Sequence, residues 1–223
     1  MKIYDVEQGS QEWFDLRKGV PTASAFGRII TPSKREFSGS ALPYAAQLIS
    51  EKQSQYYPRN VESYTSRSME FGQQLEAEAR DKYALVSGFD VRRVGFIKTD
   101  DDRFGCSPDG LIWEGDKPIG GLELKVPEPK THMKWLLGPT KDDARLRWEA
   151  NDRIPLEHLC QCHGFLIVTG LPWIDFYSYS CSPDCKDIRI RVVPNDFTMA
   201  LRVCLEKFWK IYQQALEEVS VPT

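Results

Sequence analysis

Two acidic residues and a lysine carry the strongest chemical signal in this 223-residue sequence. Ser107-Pro108-Asp109-Gly110 is a turn that delivers a carboxylate. Gly121-Leu122-Glu123-Leu124-Lys125-Val126 alternates apolar and charged residues, as a half-buried strand does. Successive strand side chains face opposite ways, so Glu123 and Lys125 share one face while Leu122, Leu124 and Val126 pack behind them. Between the two halves, Glu114-Gly115-Asp116-Lys117-Pro118 is rich in turn formers. The stretch therefore folds back as a hairpin and brings Asp109 beside Glu123 and Lys125. A carboxylate pair with an ammonium suits hard divalent cations and a positioned proton acceptor. The expected chemistry is metal-dependent cleavage of a phosphodiester.

The elements that must hold this hairpin follow from caps and periodicity. Ser10 caps a helix over 11–18 that Gly19 ends, with Trp13 and Leu16 on its inner face. Thr22 or Ser24 caps a second helix running through Phe26 and Ile30. Arg17 stands just ahead of these two hydroxyls, an arrangement that reads either as a phosphate seat or as ordinary capping beside a surface arginine. Residues 34–39 form a loop and 41–52 a helix. A longer helix over 68–87, stopped by Gly88, carries Met69, Gly72, Glu76, Ala79 and Tyr83 at three-four spacing. Glu76 is the lone charge in that stripe, so it meets a cation, a metal or a solvent-filled cleft, or else pairs with Arg80 at i+4.

Strands are expected over 89–98 and 103–106, around an acidic turn that reads as solvated. A short helix over 132–137 leads to 141–153, where Arg145, Arg147 and Arg153 form a solvated face or reach backbone phosphates. Pro155 opens a helix that carries Gln161 and His163 and ends at Gly170. Residues 173–180 and 187–193 alternate as a strand pair joined by a turn at Ser182-Pro183-Asp184. Asn195 or Asp196 caps a last helix whose Phe197, Leu201, Leu205, Phe208, Tyr212 and Ala215 make an apolar face. This order indicates one α/β (α+β) domain over 1–223 with a central mixed β-sheet flanked by helices.

Composition sets outer limits. Hydrophobic content of 41% and charged content of 27% describe a soluble globular chain. A net charge of -3 argues against a generally adhesive nucleic-acid binder but allows a local basic groove. No apolar run is long enough to span a membrane, and residues 1–7 lack a signal-peptide core, so the expected compartment is cytoplasmic. Six cysteines include Cys160, Cys162, Cys181 and Cys185 near His163, but their spacing matches no zinc knuckle and reduced thiols are expected.

Three blocks in order give the chain a resemblance. They are 13–24 (WFDLRKGVPTAS), 70–80 (EFGQQLEAEAR), and 106–110 (CSPDG) with 121–125 (GLELK). Together they resemble the lambda-type phage exonucleases, the YqaJ-like viral recombinases of the PD-(D/E)xK nuclease superfamily. The resemblance implies a restriction-endonuclease-like core, with 10–66 binding the DNA end, 67–170 forming the catalytic part and 171–223 closing the fold. It implies Asp109, Glu123 and the Leu124 carbonyl as metal ligands, Glu76 at a second metal or its waters, and Lys125 acting on the attacking water. Two magnesium ions, with manganese as a substitute, are the implied cofactors. Gln161 falls in a glutamine-rich helix of the family, and His163 stands where that pattern often has another glutamine. Arg17, Thr22 and Ser24 are implied to bind the 5′-phosphate of a double-stranded DNA end. Met69 is either a core residue or an apolar wedge at the terminal base pair. The resemblance also implies a ring-shaped homotrimer encircling DNA, with a single-strand annealing protein as partner. A structure-specific or restriction-like endonuclease and a catalytically silent DNA-binding or assembly subunit are the alternatives.

Overall fold

A computed structural model describes residues 1–53, 67–138 and 154–220, with 67–74 as backbone alone. The side chain of Met69 and the whole of 141–153, with Arg145, Arg147 and Arg153, lie outside the described residues. The elements that position the hairpin belong to a five-stranded sheet in the order β10-β9-β8-β7-β4. These strands are Asp90–Arg92 (β4), Gly110–Glu114 (β7), Lys117–Lys125 (β8), Ile174–Ser178 (β9) and Ile188–Val192 (β10). β8 and β9 are parallel and the other pairs antiparallel. The parallel pair requires a crossover, which is supplied by helices Pro129–Leu137 (α4) and Leu156–Thr169 (α5).

The two faces of this sheet are dressed differently. Leu122 and Leu124 turn towards helix Arg67–Ser87 (α3), packing with Ala79, Tyr83 and Tyr177, with Val126 at the edge of the cluster. The other face meets α5 in the main core, where Phe165 and Phe176 lie. Gly121 makes that contact possible, because a Cβ there would sit 2.3 Å from Cζ of Phe165. On the far side of α5, a short 3-10 helix (Ala23–Arg28) lies so close that a Cβ at Gly164 would meet Phe26 at 2.7 Å. The sheet, α5 and the 3-10 helix thus form three layers with glycine at both seams.

Helices Gln11–Arg17 (α1), Ala41–Gln53 (α2) and Asp196–Val219 (α6) enclose this stack. Their caps follow the expected chemistry. Ser10 Oγ accepts from Trp13 N, Gly19, Gly88 and Gly170 end helices at positive φ, and Asn195 with Thr198 makes a capping box. Among the described residues no helix is long and apolar enough to cross a membrane.

Several local expectations change. The segment over 89–98 is two strands in different sheets, since Phe96–Lys98 (β5) pairs with Lys2–Tyr4 (β1) and Gly105–Cys106 (β6). Part of the stretch 34–39 is a strand, as Ile30–Thr31 (β2) pairs with Glu36–Phe37 (β3). The acidic turn is tied down rather than merely solvated: Asp100 pairs with the Met1 amine, Asp102 with Lys2 and Asp101 with Arg103. α1 buries no residue fully, so Trp13 and Leu16 are only half-buried.

Replacing Gly121 by alanine should destabilise the fold by about 1–3 kcal/mol, the usual cost of overpacking a filled core. Urea unfolding measures this directly. An unchanged midpoint would show that Phe165 has a second seat.

Candidate active site

β7 stops at Gly110, paired with Leu122, while β8 runs three residues further. Asp109 occupies the end of the shorter strand. Its N–H donates to the Leu122 carbonyl at 3.1 Å, and its Oδ2 accepts from the Leu124 amide at 2.6 Å. In a strand the N–H and C=O of one residue point the same way, so the Leu124 carbonyl also faces the side that β7 has left. The turn is held from behind by the Gln8 amide, which donates to Pro108 O at 3.2 Å and Val94 O at 3.0 Å. Glu123 lies on the α5 face, opposite Phe176 across the ladder, and is 1% exposed. Lys125 Nζ makes an ion pair with it.

The charges are out of balance. Burial, then the charge of Glu123, pushes the Asp109 carboxyl up to about 7, with Lys125 opposing and Glu76 adding to the rise. Burial likewise raises Glu123, against the pull of Lys125. For Lys125, burial works against the charge, but Glu123 and Asp109 outweigh it and hold the ammonium above the ordinary lysine value. A buried and a half-buried carboxylate, both with raised proton affinity, favour positive charge beside them. Glu76 contributes from the middle of α3, where its carboxylate forms an ion pair with Arg80. The i+4 pairing is therefore the local partner of Glu76. Among the described residues no three His, Cys, Asp or Glu side chains form a ready-made metal cage. Two carboxylates with a directed carbonyl do fit a hard divalent cation that keeps waters and takes further oxygens from substrate.

A cleft beside this pair is lined by Arg17, Ser24, Ser107, Glu123 and Gln161, together with Cys106 and Phe165. Four of these were read from the sequence as site residues, on α1, the 3-10 helix, β8 and α5. Arg17 is presented rigidly: its guanidinium lies 4.1 Å over the Trp13 ring and donates to Ser107 Oγ at 3.1 Å. Burial lowers its pKa, yet arginine remains charged at any physiological pH. Thr22 does not reach the cleft. It is buried, its N–H donates to Tyr44 Oη, and its Oγ1 lies 3.3 Å from Ser24 Oγ. It also makes no side-chain cap, and the helix it precedes is a six-residue 3-10 turn. The oriented amides expected at a longer helix start are reduced to one short turn there, so the cleft relies on Arg17 and hydroxyls.

His163 is buried and its Nδ1 lies 2.7 Å from Thr198 Oγ1, which joins α5 to the cap of α6. That contact ties the two helices together. Sequence reasoning passed over Ser107, which sits inside the quoted turn and receives both Arg17 and the Trp13 indole, at 3.0 Å. It also passed over His158, one turn before Gln161. Burial and then the nearby Lys125 lower the His158 imidazole to about 3, so it is neutral, stacked on Phe176. The six cysteines are free thiols.

A family profile for the YqaJ-like viral recombinase domain matches residues 12–172. Among solved structures, an alkaline exonuclease from Laribacter hongkongensis, LHK-Exo, is similar with TM-score 0.70 and 25% identity, over 94% of this chain and 96% of that one. LHK-Exo in complex with dAMP gives TM-score 0.71 and 26% identity over the same shares, 94% and 96%. A phage-related exonuclease from Haemophilus somnus 129PT shares the fold at TM-score 0.59, with 12% identity over 90% of this chain and 96% of that one. No curated protein matches the sequence. The mixed sheet with flanking helices is thus a PD-(D/E)xK-type fold.

The raised Asp109 carboxyl has a signature in stability. Its ordinary value is 3.8 and its folded value about 7, so the folded chain binds the proton more tightly. That contribution is full below the ordinary value and is lost as pH rises through the folded one. In chelating buffer, the Asp109→Asn variant should therefore gain stability relative to wild type between pH 4 and pH 8. Urea midpoints of the two proteins across this range check it, and a pH-independent difference would contradict it.

Proposed function

The chain belongs to the YqaJ-like viral recombinase family, and from that premise we propose that it is a magnesium-dependent 5′-to-3′ exonuclease acting on linear double-stranded DNA. The observation that carries this reading is the shared cleft: Glu123 of the acidic pair and Arg17 line the same small space. A phosphate held by Arg17 therefore lies next to the groups that hold metal. A terminal phosphate carries more charge than an internal diester, so such a seat favours a chain end.

In this reading Asp109, Glu123 and the Leu124 carbonyl hold magnesium, with Glu76 serving a second ion or its waters. Held there, two ions would supply activation of a water and stabilisation of the leaving oxygen of an in-line displacement. Lys125 orients the attacking water or accepts its proton. It keeps its own proton while Asp109 and Glu123 are anionic; once their charge is neutralised, burial favours the neutral amine. Gln161 faces the scissile group from α5. Arg17, Ser24 and Ser107 grip the 5′-phosphate, and Met69 keeps its two readings as wedge or core residue. Mononucleotides leave and a 3′ single-stranded overhang remains, a suitable substrate for a single-strand annealing protein. The dAMP bound by LHK-Exo is such a mononucleotide. We further assign residues 10–66 to DNA-end binding within one domain, a homotrimeric assembly, manganese as a substitute ion, and a cytoplasmic location.

The test is end-labelled linear duplex, with and without a 5′-phosphate, incubated with magnesium. Asp109→Asn and Glu123→Gln should each slow nucleotide release by at least about 100-fold, the upper effect of losing even an outer partner of a metal. Near-normal turnover in either at saturating magnesium would refute the assignment, and cutting of closed circular duplex would favour an endonuclease. Arg17→Ala should remove the preference for 5′-phosphorylated ends. It should slow their digestion about 10- to 100-fold, as expected for losing about 1.5–3 kcal/mol of hydrogen bonding to a charged group. A wild-type ratio between the two end types would place the phosphate elsewhere.

A further inference from the structure

The guanidinium of Arg80 contacts both acidic elements of the site. Its Nε donates to the carbonyl oxygen of Asp109 at 3.0 Å, and its Nη2 forms the ion pair with Glu76. Nε–H and Nη2–H lie along one edge of the planar fork, so the two acceptors are set side by side. The side chain is 11% exposed, which holds this fork in a single place. Asp109 is thereby fixed at each of its polar groups. Its amide is on Leu122, its carboxylate on the Leu124 amide and its carbonyl on Arg80. Only the last of these bonds comes from outside the hairpin. It is also the one hydrogen bond among the described residues that joins α3 to the Asp109 turn.

The pairing at i+4 would by itself be an ordinary feature of a helix surface, of small energetic consequence. The contact with Asp109 gives it another meaning. Glu76 carries a third negative charge that both Asp109 and Glu123 feel. Without a partner it would move towards whatever cation those residues hold. Arg80 both neutralises Glu76 and registers it against the hairpin, so that the third carboxylate stands at a set distance.

We propose that Arg80 is a positioning residue of the active site, which sets the carboxylate of Glu76 and the backbone of Asp109 against each other for divalent-metal binding. The proposal rests on the nuclease reading given above. Lysine at this position keeps the charge and the i+4 pair but has no fork, so it cannot hold both acceptors.

The experiment is direct titration of the full-length protein with manganese(II), followed by electron paramagnetic resonance of the free ion. Wild type, Arg80→Lys, Glu76→Gln and Asp109→Asn are compared, each with its urea midpoint. Arg80→Lys should bind manganese about 10- to 100-fold more weakly, the range for losing an outer partner of a metal site, at an unchanged urea midpoint. In the double variant Arg80→Lys with Glu76→Gln the two losses should not add, since both break one unit. Wild-type manganese affinity in Arg80→Lys would overturn the proposal and leave Arg80 as a helix-surface ion pair. Additive losses would also overturn it, because they would mean that Arg80 and Glu76 act separately. If Asp109→Asn binds manganese as wild type does, the metal-site reading itself fails, and that result is distinct from a failure confined to Arg80.

Discussion

The site depends on one mismatch of length. β8 outruns β7, and the Leu124 amide that would otherwise lack a strand partner finds the Asp109 carboxylate instead. That bond closes the hairpin and aims an acidic side chain at the strand end. It also leaves the Leu124 carbonyl turned to the same opening. A buried amide donor is costly to leave unpaired, so backbone and carboxylate constrain each other. The ladder itself therefore gathers these groups, with Glu123 and Lys125 one residue to either side of Leu124.

Charge at this point is handled unlike charge elsewhere in the fold. Asp175 is as buried as Glu123, yet it is fully paired: Tyr83 Oη donates at 2.8 Å, and Arg189 and Arg191 approach at 2.8 Å each. Arg191 is in turn stacked 3.7 Å over Trp173. That network is saturated and fastens β10 to β9 and α3. The acidic pair at the hairpin has one ammonium for two carboxylates, with a third carboxylate nearby. Between Asp175 and Glu123 the difference is one of balance, since both are buried.

Much of this was legible in sequence because the signals were local. Strand alternation placed Glu123 and Lys125 on one face, and Gly19, Gly88 and Gly170 ended helices where the left-handed conformation required them. The relation of Glu76 to the site needed more than its spacing, because Arg80 at i+4 and a metal at long range leave the same mark on a helical stripe. What remained hidden involves partners far apart in the chain. β1 pairs with β5 across more than ninety residues, and nothing in Lys2-Ile3-Tyr4 announces that register. Thr22 has the composition of a ligand-binding hydroxyl, but its parallel bridge to Gly105 puts it in the wall. Ser107 was overlooked because its role is to receive Trp13 and Arg17, neither of which can be placed without the fold.

The parallel contact between β8 and β9 has a consequence for synthesis. As the chain leaves the ribosome, β8 is made about fifty residues before the strand that covers its other side. Until Ile174–Ser178 emerges, Gly121, Glu123 and Lys125 lie along an unprotected edge whose amides and carbonyls have nothing to bond. The nascent polypeptide must cross that interval with its most charged strand as a border. A lysine and a glutamate on the still uncovered face of that border discourage association with other chains, and so these two residues also guard its assembly.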